Sequence, residues 1–320
     1  MRILNYLLLL TSISFSAIAT ENEQAVSSLS RLSQSLQQLN FSTSFVVVKN
    51  NHAEPYHWFR GVNEQGTSLE ILSLLNGPRR DVLRKGDIVS YIEPELSPYS
   101  VIAEHISGPI PAIFGKDITT LEKTYNFVSV GRSRVLGRAA QLVRIVSKDQ
   151  HRFGHWLWLD QETGLLLKLA LVTRKGQLLE QVQFTHLDIT EKPSDSLLQL
   201  QSAELPQVIE IPKNYQENEL AWQVNWLPAG FTQLKANKHR INITNQPVEF
   251  MLFSDGLVEV SVYVGASQDK QRVADYVMDG ATVVLNQVVN GFEVSVVGKI
   301  PASTAKSIAD SVVIGMSKRP

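Results

Sequence analysis

Between Gly137 and Asp188 the chain carries four runs of strand length separated by turn signals, and this stretch constrains the fold more than any other. Ala139–Val146 alternates polar and β-branched residues, His155–Leu159 is short and aromatic, Leu165–Thr173 is apolar with one lysine, and Leu178–Leu187 alternates again. Gln161-Glu162-Thr163-Gly164 and Arg174-Lys175-Gly176-Gln177 each place a glycine where a short hairpin needs positive φ, a conformation that a Cβ makes costly. A four-stranded antiparallel meander is therefore encoded locally.

The flanking segments extend that sheet. Ala25, Leu29, Leu32, Leu36 and Leu39 recur at steps of four and three, which predicts a helix with one apolar stripe. Phe41, Thr43, Phe45 and Val47 then switch to a period of two. Pro55–Arg60, Thr67–Leu75, Arg79–Arg84 and Ile88–Ile92 continue as strands, with Asn76-Gly77-Pro78 and Lys85-Gly86-Asp87 as turns. Glu93 to Lys116 breaks the pattern with four prolines and reads as one long loop, a lid or binding loop over the sheet. Asp117–Lys123 reads as one or two helical turns, and Tyr125–Val135 leads back into the meander.

Glu191 to Asn218 is rich in Glu, Gln and Ser and is broken by Pro193, Pro206 and Pro212, so it is expected to be a linker with a helical turn at Ser196–Gln199. Beyond it, Asp255-Gly256 and Asn290-Gly291 predict two hairpins, Glu249–Ser254 with Leu257–Val264 and Ala281–Val289 with Phe292–Ile300. Helices are expected at Asp269–Met278 and, after Pro301, at Ala302–Gly315. The expected division is a leader over 1–19, a large β domain over 20–190, a linker over 191–218 and a small α+β domain over 219–320.

The leader carries Arg2, an apolar run Ile3–Leu10 and the small-residue site Ala17-Ile18-Ala19, the pattern of a secretory signal peptide cleaved after Ala19. With no cysteine in 320 residues, there is no disulfide, no thiolate metal site and no residue for N-terminal lipidation. A formal net charge of −1 argues against nucleic acid as a partner, because phosphate binding needs a basic face.

Catalytic signals are absent from the pattern. Gly108 to Lys116 has the wrong glycine spacing for a phosphate loop, and Asp117 stands where a hydroxyl must hold the metal. His151 and His155, four apart, flank a turn leading into a strand, on which four residues span roughly 13 Å, too far for one ion. No nucleophile elbow, zinc-protease motif or dinucleotide fingerprint occurs, so neither an enzyme nor a cofactor is expected. Arg132, Arg134, Arg138 and Arg144, near Arg152, read either as a solvated strand face or as an anion-binding patch. Trp58, Trp156 and Trp158 read either as sheet core or as a ligand platform.

Several segments resemble the sigma-E regulatory protein family, RseB/MucB. They are Arg134–Ala140, Asp149 with Arg152-Phe153-Gly154, Leu157–Asp160, Thr163–Lys168, and Glu180-Gln181 with Phe184. In the second unit Trp226–Phe231, Phe253–Leu257 and Val296–Pro301 with Thr304-Ala305 follow. The likeness runs from about Leu36 to Val313. The chain departs from the family in its first strand, at Ser42-Thr43-Ser44, and near His57–Gly61.

The resemblance implies an α+β, mostly antiparallel fold. Its first domain would be an unclosed β-barrel with covering helices, similar to the lipoprotein carriers LolA and LolB, followed by a smaller α+β domain. It also implies a periplasmic negative regulator that binds the periplasmic segment of the anti-sigma factor RseA and shields it from site-1 proteolysis. A ligand-relieved clamp is the expected mechanism, in which an acyl chain of lipopolysaccharide or a lipoprotein enters the cavity and releases the partner. A periplasmic lipid or lipoprotein carrier is the alternative. On this reading Ile110, Ile113 and Phe114 belong to the lid, and Phe45, Trp58, Tyr91, Trp156 and Trp158 line the lipid cavity. Trp222 and Trp226 contact the partner, and homo-oligomerisation is left open.

Overall fold

The computed structural model of the 320-residue chain describes residues 21–209, 220–240, 247–267 and 275–315. The expected leader and its cleavage site lie outside them. Among the described residues no helix is long and apolar enough to cross a membrane.

Helix α1 (residues 21–38) buries Ala25, Leu29, Leu32 and Leu36, as its stripe requires. It leads into β1 (Asn40–Lys49), β2 (His52–Val62), β3 (Ser68–Leu74), β4 (Arg80–Lys85), β5 (Ile88–Ile92) and β6 (Tyr99–Ile102). After two short 3-10 turns at Ala112–Gly115 and Ile118–Lys123, β7 (Tyr125–Val135), β8 (Arg138–Ser147), β9 (Gly154–Asp160), β10 (Leu166–Val172) and β11 (Leu178–Thr190) follow. These strands form one 11-stranded antiparallel sheet in the order β6-β5-β4-β3-β2-β1-β11-β10-β9-β8-β7. Its end strands β6 and β7 do not pair, so the sheet curls without closing.

The meander is present as β8 to β11, with Gly164 and Gly176 both at φ 79 in its turns. On β1, Phe41, Thr43, Phe45 and Val47 all turn to one buried face. Leu157, Leu159, Leu169, Val182 and Phe184 join that face from β9, β10 and β11, and α1 lies across it.

The second sheet is built from β13 (Thr232–Arg240), β14 (Pro247–Ser254), β15 (Glu259–Ala266), β16 (Asp275–Asp279), β17 (Thr282–Val289) and β18 (Phe292–Gly298), in the order β13-β14-β15-β18-β17-β16. Helix α3 (Ala302–Asp310) packs on it through Thr304, Ala305, Ile308 and Ala309. The short strands β12 (Trp222–Val224) and β19 (Val312–Ile314) pair beside it. The mostly antiparallel α+β architecture with an unclosed large sheet is thus what the chain forms.

Four local expectations change. Glu93–Lys116 is not loop throughout, because Tyr99–Ile102, lying between Pro98 and Pro109, pairs with β5, and the Ser90 and Ser100 hydroxyls meet at 2.8 Å. Of the helix expected at Asp269–Met278, residues 269–274 lie outside the described set, while Asp275–Asp279 is a strand hairpinned to β17. The last helix stops at Asp310, since the β-branched pair Val312-Val313 and Ile314 pair with β12 instead. Finally, the segment expected to be a linker begins as part of the first sheet's packing. Helix α2 (Asp195–Ser202) buries Leu197 and Leu200 over β2 to β4, and residues 206–209 run along β6, with Ser100 N–H donating to Gln207 O at 3.0 Å and Ile209 N–H to Ser100 O at 2.8 Å.

Candidate binding site

The concave side of the large sheet holds two adjoining cavities beneath residues 104–116. The first, about 110 Å³, is lined by Leu36 of α1, Phe45, Trp58 and Leu72 of the sheet, and Ile106, Pro109 and Ile110 of the overlying loop. Its aromatic wall is ordered by ring packing: Phe41 meets Trp58 edge-on at 5.1 Å, and Phe45 stacks on Tyr56 at 5.3 Å and on Phe184 at 5.6 Å. The second, about 410 Å³, lies between the large sheet and the second sheet. It is lined by Tyr56, Leu74, Val82 and Tyr91 but also by Lys49, Glu54, Arg80, Asp81, Glu93, Glu180 and Lys299. Leu72, Gly108 and Pro109 border both, and a Cβ on Gly108 would sit 2.9 Å from Leu72 Cδ2, so the partition depends on a glycine there.

A buried ionic group forms one end of the apolar cavity. Glu70, 2% exposed, accepts from Arg84 at 2.7 Å and from Trp58 Nε1 at 3.3 Å and is paired with Arg60. Arg60 in turn donates to the Leu36 carbonyl near the end of α1, which ties the helix to the sheet. At the polar cavity, burial pushes the Tyr56 phenol up to about 12, helped by Glu54.

The two sheets meet at a second site. Arg152, in the turn between β8 and β9, is fully buried, and its Nε donates to Asp255 Oδ2 at 2.5 Å. It also reaches Asp149 and the Ala229 carbonyl, and its guanidinium lies 4.9 Å from the Phe231 ring centroid and 5.5 Å from that of Tyr125. Tyr125 donates its hydroxyl to the same Asp255 oxygen at 2.7 Å. Beside this cluster His151 Nδ1 lies 3.2 Å from Thr304 Oγ1, and Trp226 packs edge-on against the His151 ring at 5.0 Å. Farther along the seam, Lys299 bonds Glu180 at 2.6 Å and Lys49 bonds Asp279 at 2.7 Å.

The structure brings together some of the expected site residues and separates others. Phe45, Trp58 and Ile110 line the apolar cavity, and Tyr91 lines the polar one, its hydroxyl 3.2 Å from Ser107 Oγ. Ile113 and Phe114 are not surface residues of a lid: they are buried, with Phe114 wedged among Leu32, Leu36, Phe41 and Trp58. Trp156 and Trp158 do not line either cavity, because Leu157 and Leu159 take the inner positions of β9 and alternation turns both tryptophans to the outer face. Trp222 is buried, donating to Glu249 Oε2 at 2.8 Å, and Trp226 lies at the seam. Arg152, near the basic run, is buried in the seam, and within the run Arg138 pairs with Asp160 and Glu162. The Arg60–Glu70–Arg84 group was not anticipated. A carboxylate inside the apolar run Thr67–Leu75, with an arginine on each neighbouring strand, was its only trace in the sequence.

Residues 24–209 match the MucB/RseB N-terminal domain, and residues 216–313 match the MucB/RseB C-terminal domain. The sigma-E factor regulatory protein RseB of Salmonella typhimurium is 31% identical over 95% of this chain and 95% of its own length. The sigma factor AlgU regulatory protein MucB of Pseudomonas aeruginosa is 33% identical over 98% of each. The solved Pseudomonas aeruginosa MucA/MucB complex aligns with a TM-score of 0.73 and 30% identity, covering 92% of this chain and 100% of the matched chain. Matched along nearly its whole length in both sequence and structure, the chain belongs to the MucB/RseB family of sigma-factor regulatory proteins.

Proposed function

We propose that the mature chain is a periplasmic negative regulator of an envelope stress response, which binds the periplasmic segment of a membrane-anchored anti-sigma factor and shields it from the first proteolytic cut. The observation that carries this reading is the full-length match to a relative solved as the MucA/MucB complex. The working unit is then the pair, a first domain ending in α2 and residues 206–209 and a second domain over 219–320, held at the Arg152 seam.

Lipid relieves the inhibition in this proposal. The apolar cavity, at about 110 Å³, is below the roughly 300–1,000 Å³ of ordinary ligand sites, so an acyl chain enters only if the 104–116 loop lifts. Lifting it reshapes the neighbouring polar cavity at the seam, because Gly108 and Pro109 border both. Relief by lipid then requires that lipid favour the lifted loop and the partner the lowered one, and such coupling is reciprocal, typically 5- to 150-fold in affinity.

Calorimetry of the mature chain with the anti-sigma periplasmic segment, with and without lipopolysaccharide, tests this. Binding that weakens as lipopolysaccharide is added is expected, and an affinity that lipopolysaccharide leaves unchanged refutes the relief mechanism. A lipid or lipoprotein carrier is the second reading, favoured by the roofed apolar cavity alone. Deleting Trp222–Pro320 separates the two, because a carrier keeps its lipid binding and has no anti-sigma binding to lose.

A further inference from the structure

On the outer face of β8 to β10, opposite α1 and the cavities, two tryptophans lie beneath two cations. The Arg144 guanidinium is 4.3 Å from the Trp156 ring centroid, and Lys168 Nζ is 4.7 Å from that of Trp158. Strand register sets this up, since Arg144 stands directly opposite Trp156 and Lys168 directly opposite Trp158. The two rings are 6.4 Å apart, so the four side chains form one continuous plate.

Its charges are unbalanced. All four residues are half-buried, yet among the described residues neither cation has a carboxylate partner, and Arg144 Nε is enclosed without a hydrogen-bond partner. Burial pulls the Lys168 pKa down, and no acidic group opposes that shift. Arg138, on the same strand as Arg144, shows the usual arrangement, pairing with Asp160 at 2.9 Å and Glu162 at 2.7 Å. Partly desolvated cations are ordinarily compensated by an anion, and here the described residues supply none.

We infer that this plate is a docking surface for an acidic segment of a protein partner, whose carboxylates pair with Arg144 and Lys168 above the two rings. Tryptophan and arginine are the residue types that dominate the energetic centres of protein interfaces. A second copy using the same face would set like charges against each other about the two-fold axis. A lipid surface favours rings that stand out into the headgroups, whereas these are half-buried and capped by cations. The inference does not depend on the anti-sigma reading.

Fluorescence anisotropy of a short labelled poly-L-glutamate peptide with the full mature chain at low salt tests it. The wild type should bind, and Arg144→Gln with Lys168→Gln should weaken binding about tenfold or more, the effect of losing charge pairs at an interface. Arg174→Gln with Lys175→Gln, which removes the same charge from an exposed turn, should leave binding intact. If the first pair lowers the melting temperature, Lys168→Gln alone carries the test. No wild-type binding, equal loss in both pairs, or no loss in either overturns the inference. So does self-association that Arg144→Gln with Lys168→Gln abolishes, or tighter binding to phosphatidylglycerol vesicles than to the peptide.

Discussion

Replacing Arg152 with methionine keeps most of the side-chain volume and removes the cation at the centre of the seam between the sheets. Both Arg152 and Asp255 have side chains at 0% exposure, so neither can turn to water when its partner is lost. Removing one member of a buried pair costs about 3–5 kcal/mol. Asp255 would still accept from Tyr125 at 2.7 Å, Leu257 N–H at 3.0 Å and Val258 N–H at 2.8 Å, which places the loss toward the lower end, about 3 kcal/mol. Against a typical total of about 5–15 kcal/mol this is a large fraction. Urea unfolding followed by tryptophan emission is a suitable assay, since Trp226 packs on His151 beside the cluster. In a double-mutant cycle Arg152→Met with Asp255→Asn should recover part of the loss, because the carboxylate left unpaired is then neutral. A single-variant cost under about 1 kcal/mol, or a strictly additive cycle, would refute the assignment of Arg152 as the weld between the sheets.

Two further outcomes follow from buried groups. His155 is 3% exposed with Nδ1 unpartnered, and burial pushes its pKa down to about 4. The unfolded chain takes up this proton near pH 6.5 and the folded chain refuses it until about pH 4, so stability should fall as pH drops through that window, by up to about 3 kcal/mol. Melting temperatures measured across pH should show the slope in the wild type and a flatter one in His155→Leu, and identical slopes would count against the buried neutral imidazole. Phe114→Ala should cost about 3–5 kcal/mol in urea unfolding, since Phe114 is 1% exposed, and a cost under about 1 kcal/mol would mean that the loop swings free of α1.

Local chemistry wrote most of the meander into the sequence, because two of its three turns place a glycine at positive φ, Gly164 and Gly176, between runs of strand length. What sequence could not give was pairing between distant segments. Ser100 with Gln207 and Arg152 with Asp255 join positions about a hundred residues apart, and nothing near either marks its partner. The orientation of β9 failed for a different reason. Alternation correctly puts Trp156 and Trp158 on one face, but His155, Leu157 and Leu159 make the other face equally able to be core. The cations opposite, Arg144 and Lys168, held the answer, since a buried face would not present two unpaired charges, but reading them requires the register. The apolar cavity was legible through Phe45 and Trp58, whereas its ionic end was hidden in three separate strands.

The docking of residues 206–209 on β6 also shortens the leash between the two halves. Measured from Ile209 to Leu220 the connection is eleven residue steps, which even fully extended reaches at most roughly 40 Å. If the Arg152 weld opened, the freed sheet would therefore stay at a high local concentration around its own socket, in the millimolar range expected of short tethers. Rebinding is then intramolecular and insensitive to dilution. A ligand that holds the halves apart must outcompete this built-in partner, not merely break contacts once.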